Sequence, residues 1–260
     1  MTVAATLSGT LAGRRAIVTG AGGGIGRASA LALAAEGAAV AAVDISAEAA
    51  AETARQIAAA GGRAIAITAD ISDPADCERV VQHTVDALGG LEVLFNNAGI
   101  IRRADAIGTT VEEWDRVMAV NVRSIFLMCK YAVPVMAAAG GGSIINTGSG
   151  WGLKGGGNAL SYCASKGAVV NMTRALAIDH GPAGIRVNSV NPGDTDTGML
   201  RSEAAQLGED PAAFLADAAD RPLRRMGRPE EIAAAVVWLA SDAASFVTGA
   251  ALVVDGGGIA

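Results

Sequence analysis

Short apolar runs alternate with helical stretches along nearly the whole chain. The runs at 16–18, 39–43, 64–68, 91–95, 143–147, 185–190 and 250–254 are rich in Val, Ile and Ala. Strands buried on both sides of a parallel sheet read this way. Between them, helical periodicity covers 25–36, 47–60, a stretch opened by Asp73-Pro74, 111–138, 162–180 and 229–241. Gly37, Gly61-Gly62 and Gly140 to Gly142 mark helix ends, and Pro74 and Pro229 mark helix starts. Strand–helix alternation without a composition break predicts one α/β domain over 1–260, with a doubly wound parallel sheet and no linker. Residues 194–226 depart from it, with amphipathic pieces around Met199-Leu200 and Phe214-Leu215. Following a strand on the expected active face, this insertion reads as a lid over substrate.

Composition narrows the function. A chain of 260 residues buries a substantial core, and 51% hydrophobic with only 3% aromatic residues makes that core mainly Ala, Val, Ile and Leu. A net charge of −6 argues against nucleic acid or an anionic membrane surface as partner. No apolar run of about 18 residues is free of charges, glycine clusters or turn signals, so no membrane span is expected. Cys77, Cys129 and Cys163 lie far apart, as reduced thiols in a cytoplasmic protein do. No positive charge precedes Arg14, which makes a poor secretion signal. No metal site is expected, and His83 and His180 lie away from the motifs described next.

Between the first strand and its helix stands Gly20-x-x-x-Gly24-x-Gly26. Glycines there let backbone approach a pyrophosphate at a helix N-terminus, in the strand–turn–helix–strand context such a loop requires. Asp44, ending the second strand, has the position to accept from both adenosine ribose hydroxyls. It would repel a 2′-phosphate, which favours NAD over NADP; capping the next helix is its plainer task. Asp70-Ile71 ends the third strand, where a carboxylate could accept from an adenine amino group. Asn97-Ala98-Gly99 follows the fourth strand and suits a nucleotide lying across strand ends, although an Asn-rich turn looks alike. Asn121 sits inside the longest helical stretch, where asparagine is unfavourable, so a kink, a polar task or simple exposure accounts for it.

The proton chemistry is sought at Ser149, Tyr162 and Lys166. Tyr162 and Lys166 are one helical turn apart and project from the same face. An ammonium about 4 Å from a phenol is worth roughly 4 kcal/mol at an effective dielectric near 20, on the order of three pKa units. Such a shift would bring the phenol to working pH, with Ser149 holding a carbonyl or alcohol oxygen beside it. A packed ring beside a solvated charge has the same spacing, so the other motifs decide.

In order and at matching spacings, Thr19-Gly20-Ala21-Gly22-Gly23-Gly24-Ile25-Gly26, Asn97-Ala98-Gly99, Asn121, Ser149, Tyr162-x-x-x-Lys166 and Pro192-Gly193 resemble the short-chain dehydrogenase/reductase family over residues 10–258. The resemblance implies a Rossmann-type sheet of seven strands in order 3-2-1-4-5-6-7 with helices on both faces. It implies a homotetramer with the helices of Asn121 and Tyr162 packed across one interface. Tyr162 would be the general acid or base, Lys166 would lower its pKa and bond the nicotinamide ribose, and Ser149 would orient the substrate oxygen. Asn121 would hold a water of a proton relay. Cofactor contacts are implied at Gly20, Gly23, Gly24, Ile25, Asp44, Ile45, Asp70, Ile71, Pro192 and Gly193, with Thr195 and Thr197 on the carboxamide. Ile101, Trp151, Leu153, Asn158, Met199, Leu200 and Phe214 would line the pocket for a secondary alcohol or ketone with an apolar body. Arg102 and Arg103 read as surface charges, with an acidic substrate as the sharper alternative. A 3-oxoacyl carrier-protein reductase shares the skeleton but usually takes NADP, which Asp44 opposes. A nucleotide sensor without turnover normally lacks the Tyr or Lys that stand here.

Overall fold

The computed structural model describes residues 9–260, so much of the N-terminal stretch read above for a secretion signal lies outside the described residues. Strands β1 (Arg15–Thr19), β2 (Ala39–Asp44), β3 (Ala64–Thr68), β4 (Val93–Asn96), β5 (Gly142–Thr147), β6 (Ile185–Pro192) and β7 (Ala251–Val254) pair in parallel. Their order is β3-β2-β1-β4-β5-β6-β7, the order the resemblance implies.

Around the sheet lie α1 (Gly24–Ala35), α2 (Ala47–Ala59), α3 (Pro74–Leu88), α4 (Val111–Met118), α5 (Ser124–Ala138), α6 (Leu160–His180), α7 (Gly198–Leu207), α8 (Pro211–Ala219) and α9 (Pro229–Ala240). Successive strand residues point to opposite faces, which divides the core in two. Ile17, Ala41, Val43 and Ile144 pack with Val80 of α3, Met128 and Met136 of α5 and Val169 of α6. Ala16, Val18, Val40, Ala42 and Ile145 pack with Leu33 of α1, Ile57 of α2 and Ile232, Val236 and Leu239 of α9. Each such Leu, Ile, Val or Met, fully buried, contributes about 1.5–3 kcal/mol. Burial on both faces is why these strands read as continuous apolar runs.

The helix expected over 111–138 is not uniform. A π-helical turn, Ala119–Arg123, joins α4 to α5 and carries Asn121. Its amide is fully buried and makes three hydrogen bonds: Oδ1 accepts from Ile100 N at 2.8 Å, and Nδ2 donates to Ile100 O at 2.9 Å and Ser165 Oγ at 3.0 Å. The wider turn accommodates that inward amide, so polar work and not exposure explains this asparagine. The 28-residue run through α4 and α5 is long and apolar enough, by length and composition, to cross a membrane. Half of its most apolar window is buried in the fold, as in the core helix of an α/β domain. Residues 194–226 hold α7 and α8, each started by its own side-chain cap, Thr197 and Asp210.

Candidate active site

The carboxyl ends of β1, β2, β4, β5 and β6 border a cleft of roughly 610 Å³. Gly20, Gly23, Gly24 and Ile25 line one part of it. Gly26 turns inward, and a Cβ there would stand 2.0 Å from Gly20 O and 2.6 Å from Asn97 Nδ2, which only glycine avoids. Asn97 braces this loop: Nδ2 donates to Thr19 O at 3.1 Å and Gly20 O at 3.3 Å, while Thr19 Oγ1 accepts from Asn97 N at 3.0 Å and Ala98 N at 3.2 Å. The Asn97-Ala98-Gly99 stretch is therefore a fixed wall of the cleft and not a free turn.

Asp44 does not cap α2; Ser46 does, accepting from Ala49 N. Asp44 Oδ2 accepts from Gly22 N at 2.8 Å and Oδ1 from Ser46 N at 3.0 Å, which locks the glycine loop to the end of β2. A Cβ on Gly22 would lie 2.6 Å from Asp44 Oδ2 and 2.7 Å from Ala49 Cβ. Behind the loop, Arg27 donates to Gly22 O and to Thr53 Oγ1. Ile45, Asp70 and Ile71 line the same end. Asp70 Oδ1 accepts from the Ser72 hydroxyl at 2.7 Å, the leading cause of its lowered pKa. Arg116, 3.6 Å from Asp70 Oδ2, also lines this end, and sequence reading missed it.

Ser149, Tyr162 and Lys166 meet at the other end. Ser149 follows β5 and its Oγ accepts from Trp151 N at 3.1 Å. Tyr162 and Lys166 stand in the first two turns of α6, the phenol ring edge-to-face with Trp151 at 6.2 Å between centroids. Lys166 is 3% exposed and its Nζ donates to Thr147 O at 2.7 Å. Pro192, Gly193, Thr195 and Thr197 close the side past β6. Asn121 is not on the cleft; it lies one layer behind, its Oδ1 3.3 Å from where a Cβ of Gly99 would stand.

Ile101, Trp151, Met199 and Leu200 line the cleft, whereas Leu153, Asn158 and Phe214 do not. Leu153 ends a short turn and points outward, 39% exposed. Asn158 contributes only its backbone, with φ +50° and its carbonyl on Arg103 Nε. Phe214 is on α8, and α7 presents Met199, Leu200 and Glu203 to the cleft instead. Arg103 is no surface charge. Its side chain is 10% exposed, pairs with Glu203 at 2.7 Å and covers the Trp151 ring at 4.9 Å, whereas Arg102 is exposed. Sequence reading also missed Asp194 with its ion-pair partner Arg221, Lys154, and the Asp255–Ile259 tail, of which Asp255, Gly258 and Ile259 reach the cleft. One signal for the tail was available: Asp255 follows a strand, and strand ends in such a sheet face the site.

A family model described as enoyl-(acyl carrier protein) reductase matches residues 20–258. The chain is 42% identical over 242 residues to cyclohexanol dehydrogenase of Acinetobacter sp. (strain SE19), covering 93% of each. It is 39% identical over 244 residues to meso-2,3-butanediol dehydrogenase of Serratia marcescens, covering 94% of each. The crystal structure of levodione reductase superposes with a TM-score of 0.92 at 36% identity, over 95% of this chain and 97% of that one. The chain belongs to the short-chain dehydrogenase/reductase family.

In this short-chain dehydrogenase/reductase the electrostatics of the Tyr–Lys pair differ from the sequence expectation. Burial pushes the Tyr162 phenol up to about 12, with the Ser149 hydroxyl acting against it and the charge of Glu203 adding to it. The ammonium does not offset this, because Lys166 Nζ sits 5.6 Å from the ring centroid and is itself desolvated, down to about 8. Between pH 8 and 10.5 the unfolded lysine holds a proton that the folded one has lost, so stability rises with pH across that window. Thermal unfolding of the nucleotide-free protein should therefore show wild type gaining on Lys166→Met between pH 8 and 10. The expected slope is about 1.4 kcal/mol per pH unit. A flat difference would show that the ammonium is not desolvated at this position.

Proposed function

We propose that this chain is an NAD-dependent oxidoreductase that exchanges a hydride with a secondary alcohol or ketone, with Tyr162 as general acid and base. What carries the reading is that Ser149, Tyr162 and Lys166 converge at one end of a cleft whose other end is closed by the Asp44 carboxylate. A dinucleotide fits the residues present: Gly23 faces open space at the start of α1, and the loop around it exposes backbone N–H groups of a helix N-terminus. Asp44 spends two of its roughly four lone-pair positions on Gly22 N and Ser46 N, which leaves acceptors for two ribose hydroxyls. Lys166 would bond the nicotinamide ribose, and Thr195 and Thr197 the carboxamide.

When bound, the nicotinamide would accept hydride from the carbinol carbon or return it to a carbonyl, and its oxidised ring would add a positive charge near the phenol. Tyr162 takes the hydroxyl proton in oxidation and gives it back in reduction. Ser149 holds the substrate oxygen, and a water beside Asn121 would connect Lys166 with solvent. Met199 and Leu200 on α7 place apolar surface over the substrate, which supports 194–226 as a lid. Exposed Phe126 on α5 and Leu160 and Ile178 on α6 suit helix packing between copies in a tetramer, and three free cysteines suit a reducing cytoplasm. The relatives' names, cyclohexanol and meso-2,3-butanediol dehydrogenases, support a secondary alcohol as the substrate class. The purified protein should oxidise members of a secondary-alcohol panel with NAD, read by absorbance of the reduced coenzyme. Inertness toward every alcohol, and toward the matching ketones with NADH, would reject the reading.

A further inference from the structure

The substrate end of the cleft is walled by hydrocarbon from Ile101, Trp151, Met199, Leu200 and Ile259, with one carboxylate among them on α7. Glu203 has an 8% exposed side chain, and its Oε2 accepts from Arg103 Nη1 at 2.7 Å. Among the described residues no donor meets Oε1, and that oxygen is not one of the sealed, unpartnered polar atoms of the interior. Since the residue lines the cleft, Oε1 opens onto it. A carboxylate oxygen free of protein donors at the cleft wall is an open acceptor that a ligand hydroxyl can use.

Arg103 cannot turn to satisfy both oxygens. Its Nε donates to Asn158 O at 3.1 Å, its Nη2 to Gly157 O at 3.2 Å, and Trp151 lies against its face. The guanidinium thus neutralises Glu203 while leaving one acceptor free. Asp194, at the same end, is likewise paired, with Arg221. Paired carboxylates suit a neutral donor better than a cation. Glu203 lines the same cleft as Tyr162.

We propose that Glu203 is a specificity-determining residue whose free carboxylate oxygen accepts a hydrogen bond from a second hydroxyl of the substrate, so that diols and hydroxyketones are preferred over simple mono-alcohols. Arg103 is its positioning residue. The proposal rests on the alcohol dehydrogenase reading above and names the substrate class within it.

The test compares kcat/KM for a vicinal cyclohexane diol, its mono-methyl ether and cyclohexanol, each with NAD. Wild type should favour the diol over the other two by about tenfold to a hundredfold, the worth of a hydrogen bond to a charged acceptor. In Glu203→Gln the amide oxygen can keep Arg103 while its N–H faces the cleft and can donate to a hydroxyl or an ether oxygen alike, so the preference for the diol over its mono-methyl ether should fall to near parity. A merely structural glutamate would lower all three substrates together and leave the ratios unchanged. Retention by Glu203→Gln of the preference for the diol over its ether would overturn the proposal, as would wild-type ratios near one with cyclohexanol still oxidised. The wild-type comparison needs no variant and decides the matter if Glu203→Gln does not fold. If no compound is oxidised by wild type, the dehydrogenase reading fails and this one with it.

Discussion

Tyr162→Phe is expected to lower kcat by about a hundredfold to ten-thousandfold, the usual contribution of a positioned general acid or base. NADH affinity, followed by fluorescence, should stay within a few-fold. The substitution removes one oxygen and keeps the ring, so the edge-to-face contact with Trp151 persists. Since burial holds the phenol up to about 12, the neutral enzyme carries the acid form that carbonyl reduction requires. Alcohol oxidation needs the phenolate, so its rate should climb with pH while reduction falls. The positive ring of the bound oxidised coenzyme acts in the same direction as Ser149, lowering the phenol and moving that climb toward neutrality. Turnover by Tyr162→Phe close to wild type would remove this residue from the chemistry.

Asp44→Ala should cost NAD about tenfold to a hundredfold in affinity, because charged hydrogen bonds to the ribose would be lost. NADP should change far less, so the preference for NAD narrows. The variant also frees Gly22 N from its partner, and some loss would come from a loosened loop. Asp44→Asn separates the two effects, since its amide oxygen can still accept from Gly22 while the negative charge is gone. Asn should therefore keep the thermal midpoint better than Ala while losing the discrimination against the phosphorylated coenzyme. A wild type that prefers NADP would refute the role given to this carboxylate.

Strand positions, the glycine loop and the Tyr–Lys spacing are legible in the sequence because each is written locally, whereas the strand order came only through the family resemblance. A strand buried on both faces reads as an unbroken apolar run, and one helical turn fixes the spacing of Tyr162 and Lys166. What escaped depends on residues far apart in the chain. Arg103 and Glu203 lie 100 positions apart, so nothing beside either predicts that they meet. Leu153, Asn158 and Phe214 were apolar or polar residues of the right kind near the right elements, but a loop's direction and which of two helices faces inward are tertiary outcomes. The π-helical turn was foreshadowed only by an asparagine in an unfavourable place. The phenol's acidity was misjudged because spacing along a helix says nothing about how deeply both groups are desolvated.

The tight fit between Gly22 and the Asp44 carboxylate also imposes an order on change. Any side chain at position 22, including an arginine or serine suited to a 2′-phosphate, would need to enter space that Asp44 and Ala49 already fill. Substitution at 22 first should cripple the protein, whereas the same substitution after Asp44 has been shortened meets only the Ala49 methyl. A lineage or an engineer converting this chain to the phosphorylated coenzyme would have to pass through position 44, making the two positions sign-epistatic.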